Sequence, residues 1–480
     1  MTSDGQSVER LREYLRNLKP EARAMLVQQL ERGLLHGDES AGNELVLEEL
    51  RRTIRAAAQP VPRIGDAARL FFAPFEPFLL FDGRADHKHI GRIARVSLEP
   101  MWQWIGRDLM PAETKALSED INRALLANDK IKADQLVRAL HERAILRMRE
   151  TLATVGSDEK AQRRLAIQVG TPRAIEDVAT LLHILEIRDV LADLARRLPS
   201  YMRAFERELV DQVKAQLDVA SSVKSLEGAA ARKSDVIRYG LVMVMNRLAT
   251  PWQLIRIATR AADDDDTARI AETPYAVAVT IVLNEIANMI SELRTEFKAG
   301  RPVTSMLKEI HDAARGLRTE MDLSVDSAWS RQLAAIRSDV SNLLKPEIDA
   351  TPGRVRRLLR PRPAKEFRAG SQIDAIDVDE VEARVEFVGA CRIYAGELAL
   401  SEVTLRAYSE LTQYLEAGTK VLLDTLRHAG DADRPFRQSQ VDAAIRLCGT
   451  LFGVDYAGLL TKAADVAVQA GAIERKPVRA

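Results

Sequence analysis

The strongest constraint on the fold is a pair of apolar segments between residues 234 and 297. The runs at residues 236–248 and 275–290 have the length and composition of helices. In the second run, apolar side chains occupy nearly every position, namely Val277, Val279, Ile281, Val282, Leu283 and Ile286. A helix that is hydrophobic on all sides is a buried helix. The sequence therefore places a helical core in this region.

The composition also favours packed helices. Apolar residues make up 46% of the 480 residues, but aromatic residues only 5%, so the core must consist mainly of Leu, Ile, Val and Ala. No run combines the alternation, β-branched residues and turn signals of a strand. We therefore predict an all-α fold, in which a multi-helix body carries a small N-terminal three-helix module and a C-terminal four-helix unit.

Proline-rich and charged stretches suggest how the chain is divided. Its length exceeds the size at which a single core usually keeps growing. The predicted regions are an N-terminal three-helix module at 1–58, an aromatic and basic connector with the first body helix at 59–110, a central helical body at 111–348, a basic linker rich in proline and arginine at 349–372, and a C-terminal helical domain at 373–480.

Charge and cysteine content narrow the function classes. Lys plus Arg equals Asp plus Glu at 70 each, so there is no general attraction to nucleic acid or acidic membranes. The two cysteines provide no disulfide framework, which favours a reducing compartment. We expect no signal peptide and no transmembrane segment, because no uninterrupted apolar run approaches the length of a span. These features predict a cytoplasmic protein.

An aromatic segment stands out at residues 70–81. Pro74 and Pro77 predict that it is extended rather than helical. Clustered aromatic side chains are seldom exposed in monomers, which favours a buried strap that pins the N-terminal module to the body. The alternatives are a membrane-contacting wedge and a partner-binding surface. The candidate partner-binding residues are Phe71, Phe72, Phe75, Phe78 and Phe81, with Trp102 and Trp104 shortly after them.

Polar residues interrupt both apolar helices. Asn246 and Arg247 lie on the first, and Asn284 and Glu285 on the second. If Arg247 and Glu285 meet in the interior, their pairing offsets the cost of burying either charge and lines a polar pocket. Alternatively, each side chain lies on the solvated side of its own helix, because such residues are seldom fully buried.

The predicted linker carries a basic strip. Its arginines are Arg354, Arg356, Arg357, Arg360 and Arg362, and a flexible strip of this kind can bind phosphates or other anions without sequence preference. Acidic residues follow at 374–382. Because charge runs are usually solvated or matched internally, a strip that pairs with acidic helices is the favoured alternative.

Two acidic clusters resemble metal sites only superficially. Asp82, Asp86, His87 and His89 lack a second donor group at a defined spacing, and the acidic turn at 263–266 lacks the pattern of an EF-hand. Both are predicted to be solvated turns. We find no nucleotide-binding or catalytic motif, so we predict no catalytic residues, no metal and no cofactor.

Three functional hypotheses follow. The leading one is a non-enzymatic cytoplasmic helical scaffold, whose partner is another protein or a second copy of the chain. The first alternative is an enzyme or ligand-binding protein with a polar pocket near Arg247 and Glu285. The second alternative is a nucleic-acid-associated protein that uses the arginine-rich linker.

Overall fold

The computed structural model describes most of the chain. The described residues are 66–80, 90–156, 158–171, 173–223, 230–324, 326–363, 366 and 370–473, together with Leu26, Leu30, Val46, Leu47 and Leu50. The chain divides into two compact units, Met1–Leu70 and Phe71–Ala480. In the first unit, Leu47 and Leu50 are helical and buried. Apart from the five residues named above, the predicted module at 1–58 and the start of the connector that follows it lie outside the described residues.

The described part of the chain is almost entirely helical, which confirms the all-α prediction. Its α-helices are α1 (Asp66–Phe72), α2 (Leu98–Trp104), α3 (Pro111–Leu126), α4 (Lys130–Val155), α5 (Glu159–Val169), α6 (Ala174–Arg197), α7 (Arg207–Ser221), α8 (Ala230–Met245), α9 (Ile255–Ala262), α10 (Thr267–Ala271), α11 (Val277–Lys298), α12 (Thr304–Glu320), α13 (Ala328–Leu359), α14 (Ala375–Ile393), α15 (Ser401–Arg427), α16 (Arg434–Phe452) and α17 (Val454–Ile473).

Strand structure is minimal in the described residues. The strands β1 (Leu79–Leu80) and β2 (Ile93–Ala94) pair in parallel, with Leu79 opposite Ile93. The chain reaches β1 through a 3₁₀-helix at Ala73–Phe78 and leaves β2 through another at Arg95–Ser97. This small ladder fixes the position of the chain next to α8 and α11.

The helix α11 lies in the core, as its sequence predicts. Its side chains Val279, Ile281, Val282, Leu283 and Ile286 are buried, and it packs against α8, α9, α12 and α13. Helix α8 is also buried along most of its length. A Cβ atom at Gly240 would lie 2.5 Å from Leu217 Cδ2 and 3.0 Å from Leu194 Cδ2. The absence of a side chain at Gly240 therefore allows α8 to pack closely against α6 and α7.

One stretch in the described residues, Pro274–Lys298, is also long and apolar enough to cross a membrane. The expectation of no such segment overlooked it, because charged residues interrupt the run in the sequence. Half of its most apolar window is buried inside the protein. Core helices pass the same test of length and composition, and the neighbours of α11 on several sides are those of a core helix.

Helix α13 corrects part of the linker prediction. The linker was predicted at 349–372, but residues 349–359 continue α13, and Pro346 and Pro352 lie inside this helix. Ile348, Val355, Leu358 and Leu359 are buried along it. The free energy gained by burying this apolar face outweighs the loss of the two backbone hydrogen bonds that Pro346 and Pro352 cannot donate.

The helices after α13 pack against one another. Helix α13 contacts α14 and α15, and α15 contacts α16 and α17. On α15 the buried face includes Leu411, Leu415, Leu422 and Leu426. Leu405 belongs to the same run of apolar residues but is exposed. It follows the buried Thr404 directly, and consecutive residues on a helix point about 100° apart.

Candidate functional site

A cavity of about 470 Å³ lies where the 3₁₀-helix Ala73–Phe78, β1, α8 and α11 meet. We call it the Arg92 cavity. The described residues that line it are Glu76, Pro77, Leu79, Leu80, Arg92, Asn246, Glu285, Asn288, Met289 and Glu292. Its volume is within the range of about 300–1,000 Å³ that small-molecule sites occupy.

Helix α11 supplies one wall of the cavity. Glu285, Asn288, Met289 and Glu292 recur at the three- and four-residue spacing that brings side chains to one face of a helix. Most other positions in this part of α11 are buried and apolar. The cavity wall is therefore the polar stripe of a core helix.

Buried aromatic side chains hold the opposite wall in place. Phe75 and Phe78 of the 3₁₀-helix are buried, and the ring of Phe78 meets that of Tyr239 on α8 edge-to-face at 5.4 Å. The chain then enters β1, where Leu79 and Leu80 turn towards the cavity. These contacts position the apolar side of the site.

Arg92 connects the walls. Its Nη1 donates to Glu285 Oε2 at 2.9 Å, and its Nη2 donates to Asn246 Oδ1 at 2.8 Å. The Asn246 amide in turn donates from Nδ2 to the carbonyl oxygen of Pro77 at 2.5 Å. Side chains from distant points of the sequence are thus joined in one hydrogen-bonded chain.

Carboxylates outnumber cations in the described lining. Glu76, Glu285 and Glu292 face a single guanidinium, that of Arg92. Arg95 lies beside the cavity and pairs with Glu76 at 2.6 Å. The side chains of Arg92 and Glu285 are only 12% and 26% exposed. Solvent screens their attraction less than that of a surface pair.

The structure brings together only part of the predicted pocket. Asn246 and Glu285 line the Arg92 cavity, but Arg247 and Asn284 do not. Asn284 and Glu285 are consecutive on α11 and point about 100° apart, whereas Arg247 lies beyond the end of α8 and turns towards the end of α6. Asn284 Nδ2 is buried and has no hydrogen-bond acceptor among the described residues. The missing member, Arg92, is 193 residues from Glu285 in the sequence, and no local pattern links the two.

Arg247 and Glu285 do not meet, so the condition for a pocket built on their pairing is not fulfilled. Arg247 Nη1 instead donates to the backbone carbonyl oxygens of Ala195, Leu198 and Pro199, at 3.0, 2.9 and 3.2 Å. Burial lowers the pKa of Arg247 below its ordinary value. These carbonyls lie at the C-terminal end of α6, so Arg247 closes the end of that helix.

The aromatic residues that the structure describes are largely buried, as the favoured interpretation of the sequence predicted, and they do not form the alternative partner-binding surface. Phe71, Phe72, Phe75, Phe78 and Trp104 are buried, and Trp102 is half-buried. Phe81 lies outside the described residues. The prediction of an extended segment is wrong, because α1 and the 3₁₀-helix cover residues 66–78. Pro74 stands in the first turn of the 3₁₀-helix, where a missing N–H costs little.

His141 ties this aromatic segment to α4. Its Nε2 lies 2.9 Å from the carbonyl oxygen of Phe71, and its ring meets the Phe71 ring at 4.8 Å. The Nδ1 atom is buried and has no hydrogen-bond partner in the part of the chain that the structure describes. Loss of hydration lowers the pKa of His141 to about 4, so the ring is neutral at neutral pH.

Most arginines of the basic strip already contact side chains within the protein. Arg354 pairs with Glu347 and Glu380, Arg356 with Glu410 and Arg360 with Glu366. Arg362 lies over the Phe436 ring, 5.7 Å from its centroid. Arg357 is exposed and pairs with no acidic residue in the described part of the chain. These contacts favour the internally matched alternative over a free anion-binding strip.

A second cleft, of about 510 Å³, is lined by matched charges. Arg256 pairs with Glu320 at 2.6 Å, and Arg260 pairs with Asp211 at 2.5 Å. The hydrogen bond from Arg260 lowers the pKa of Asp211. The acidic turn at its edge is used structurally, because Asp266 caps α10 by accepting from the backbone of its first turn. The cleft therefore offers few unmatched groups.

No candidate metal site occurs in the described ranges, where no three His, Cys, Asp or Glu side chains are grouped to hold an ion. The turn with Asp82, Asp86, His87 and His89 lies outside those ranges. Cys391 and Cys448 are free and buried, and burial raises the pKa of both thiols. Neither thiol has the environment of a nucleophile.

The chain matches no protein-family model, no curated protein and no solved structure. The cavity and its side chains are therefore the best guide to function.

Proposed function

We propose that the protein binds a small polar molecule in the Arg92 cavity. The observation that carries this proposal is the convergence of Arg92, Asn246 and Glu285, which come from distant points of the sequence, on a cavity of ligand size. A few fixed polar groups beside apolar walls are typical of small-molecule sites. Packed helices and buried aromatic rings hold these groups, which limits the ordering that binding requires.

This proposal develops the ligand-binding alternative from the sequence. The scaffold hypothesis stays a prediction without a defined surface, because the aromatic residues assigned to it are buried and the strip of arginines is largely paired. Exposed apolar side chains such as Ile167 and Val454 occur singly along their helices. Isolated residues of this kind are normal on protein surfaces.

The proposal is tested by releasing bound molecules from the purified full-length protein. The protein is denatured, and small molecules in the filtrate are compared by mass spectrometry between the wild type and Glu285→Gln. We expect recovery to fall about tenfold in the variant, because a hydrogen bond to a charged group contributes about 1.5–3 kcal/mol.

Glu347→Gln provides the matched control. Glu347 is 25% exposed, close to the 26% of Glu285, and it also pairs with arginines, but it lines neither cavity. The control variant should retain the molecule. Equal recovery from wild type and Glu285→Gln would count against the proposal. The proposal would also be contradicted if the wild-type protein released no small molecule and no compound in a metabolite library raised its melting temperature.

A further inference from the structure

We propose that the turn between α3 and α4 inserts into the surface of a membrane that contains anionic lipids. We call residues 126–132 the hairpin tip. All of them are exposed, including the aliphatic side chains of Leu126 at 90% and Ile131 at 74%. Single exposed aliphatic residues are normal on protein surfaces, but here two of them share one short turn. The hairpin tip is therefore an apolar point that faces water.

The helical hairpin itself makes this tip convex. Helix α3 packs mainly against α4, and otherwise against the π-helical turn Ile105–Leu109 at its own beginning. Its buried residues lie on a single face, namely Thr114, Leu117, Ile121 and Ala124. The other positions in the second half of α3 are exposed or half-buried. The far end of the hairpin thus projects into solvent, where it can meet a flat surface.

Backbone hydrogen bonds fix the shape of the hairpin tip. The N–H of Asn128 donates to the carbonyl oxygen of Leu125 at 2.9 Å. The N–H of Asp129 donates to the carbonyl oxygen of Ala124 at 2.9 Å, and together these bonds close the end of α3. Asn128 has the left-handed φ of 55° that this helix end requires. Asp129 then caps α4 by accepting from the N–H of Lys132 at 3.0 Å. Binding therefore requires little ordering of this turn.

The charge around the turn suits anionic lipids. The hairpin tip and the helical turn before it carry an excess of two positive charges, because the carboxylate of Asp129 stands against three cations, namely Arg123, Lys130 and Lys132. Arg123 pairs with Asp120, which lies further from the tip. Both lysines are exposed and form no ion pair with any described residue. A surface of anionic lipids attracts basic segments of this kind.

Size and composition favour a lipid surface over a protein partner. Stable protein interfaces bury about 1,200–2,000 Å² in total, far more than two aliphatic side chains supply. Lysine is also depleted in such interfaces. At a membrane, by contrast, lysine stems lie along the apolar layer while their ammonium groups stay in water. Leu126 and Ile131 would enter the boundary of the acyl chains, and the two lysines would meet lipid phosphates.

Co-sedimentation with lipid vesicles tests the proposal on the full-length protein. Vesicles of phosphatidylcholine alone are compared with vesicles that also contain phosphatidylserine. We expect the wild type to sediment with the anionic vesicles, and high salt to weaken this binding. Leu126→Ser and Ile131→Ser should each lower the partition coefficient about tenfold, because each removes an aliphatic side chain from the apolar layer. Lys130→Gln should lower it about fivefold.

Two matched variants control for a general change in the surface. Ile167→Ser removes an aliphatic side chain that is 81% exposed on α5. Lys115→Gln removes an exposed lysine of α3, about three helical turns before the tip. Both should bind the anionic vesicles as the wild type does. All the substituted side chains are exposed, so we expect each variant to fold, and a circular-dichroism melt checks this.

A fluorescent label distinguishes insertion from adsorption. Cys391 and Cys448 are buried, so a cysteine introduced at the tip reacts selectively. On anionic vesicles, the emission of an environment-sensitive dye attached to Leu126→Cys should shift to shorter wavelength, because the dye enters the apolar layer. The same dye attached to Ile167→Cys should not shift.

The proposal fails in three ways. If the wild type bound neither kind of vesicle, the membrane would be excluded and a protein partner favoured for the tip. Equal binding to both kinds of vesicle would overturn the preference for anionic lipids. Unchanged binding of Leu126→Ser and Ile131→Ser, or a dye shift at both labelled positions, would overturn the role of the tip. None of these residues lines the Arg92 cavity, so none of these results bears on ligand binding there.

Discussion

Acid should destabilise this protein through one buried histidine. His141 has a pKa of about 4 in the folded chain against an ordinary value of 6.5, because burial removes its hydration. Between these two values the unfolded state binds more protons. The stability that the neutral ring contributes is therefore complete above pH 6.5 and lost as the pH falls towards 4. The expected loss is about 2 kcal/mol at pH 5 and about 3 kcal/mol below pH 4.

The measurement is urea unfolding followed by circular dichroism, from about pH 7 to about pH 4.5, for the wild type and His141→Gln. Glutamine retains an N–H near the position of Nε2, so it can still donate to Phe71 but does not titrate. Burial raises the pKa of Asp177 and of Asp235, and these contributions change with pH in the opposite direction. Subtracting the unfolding free energy of the variant from that of the wild type at each pH cancels the contributions of these two aspartates.

The control is His428→Gln, at a histidine whose side chain is 63% exposed. Because a largely solvated side chain contributes little packing, we expect this control to unfold at nearly the wild-type urea concentration at pH 7. For His141→Gln, the advantage of the wild type should shrink by about 2 kcal/mol between pH 7 and pH 5. A difference that stayed constant over this range would refute the assignment of a neutral, buried imidazole.

Three further predictions concern the core. Gly316→Ala should destabilise the protein by about 1–3 kcal/mol in urea unfolding, because its Cβ would lie 2.5 Å from the ring of Trp252. Gly353→Ala, where an added Cβ would meet no described atom within 4 Å, should be neutral or stabilising by up to about 1 kcal/mol. Equal effects of the Gly316 and Gly353 substitutions would contradict the packing around Gly316. Phe75→Ala should cost about 3–5 kcal/mol in the same assay, and a loss below about 1 kcal/mol would contradict its burial. Cys391, with a pKa raised to about 12, should resist iodoacetamide until the protein unfolds, and rapid labelling of the native protein would contradict this.

The sequence predicted those features that depend on local pattern. Helix α11 is recognisable because its apolar residues leave so little polar surface that only a buried position suits it. The burial of Cys391 and Cys448 follows from the apolar residues that share their helical faces. Asp129 directly precedes α4, and its side chain accepts from the backbone of Lys132, as is typical of an Asp at the start of a helix.

The predictions from the sequence were wrong where contacts between distant residues determine the local structure. Pro74 and Pro77 argue against an α-helix but are compatible with a short 3₁₀-helix, which the sequence does not distinguish from an extended chain. Pro352 lies within α13 because packing of that helix outweighs local preference. The cavity combines residues from the β2 region, α8 and α11, and the pairing of Arg92 with Glu285 has no counterpart in local spacing.

The position of Arg247 has a consequence for how the chain folds. The last carbonyls of α6 receive their donor from a residue 48–52 positions later in the sequence, beyond the end of α8. During synthesis, α6 leaves the ribosome before Arg247 is added to the chain, so these carbonyls accept hydrogen bonds from water until α8 has docked. We therefore expect the segment from α6 to α8 to gain protection against hydrogen exchange in a single cooperative step, with neither end of it stable alone.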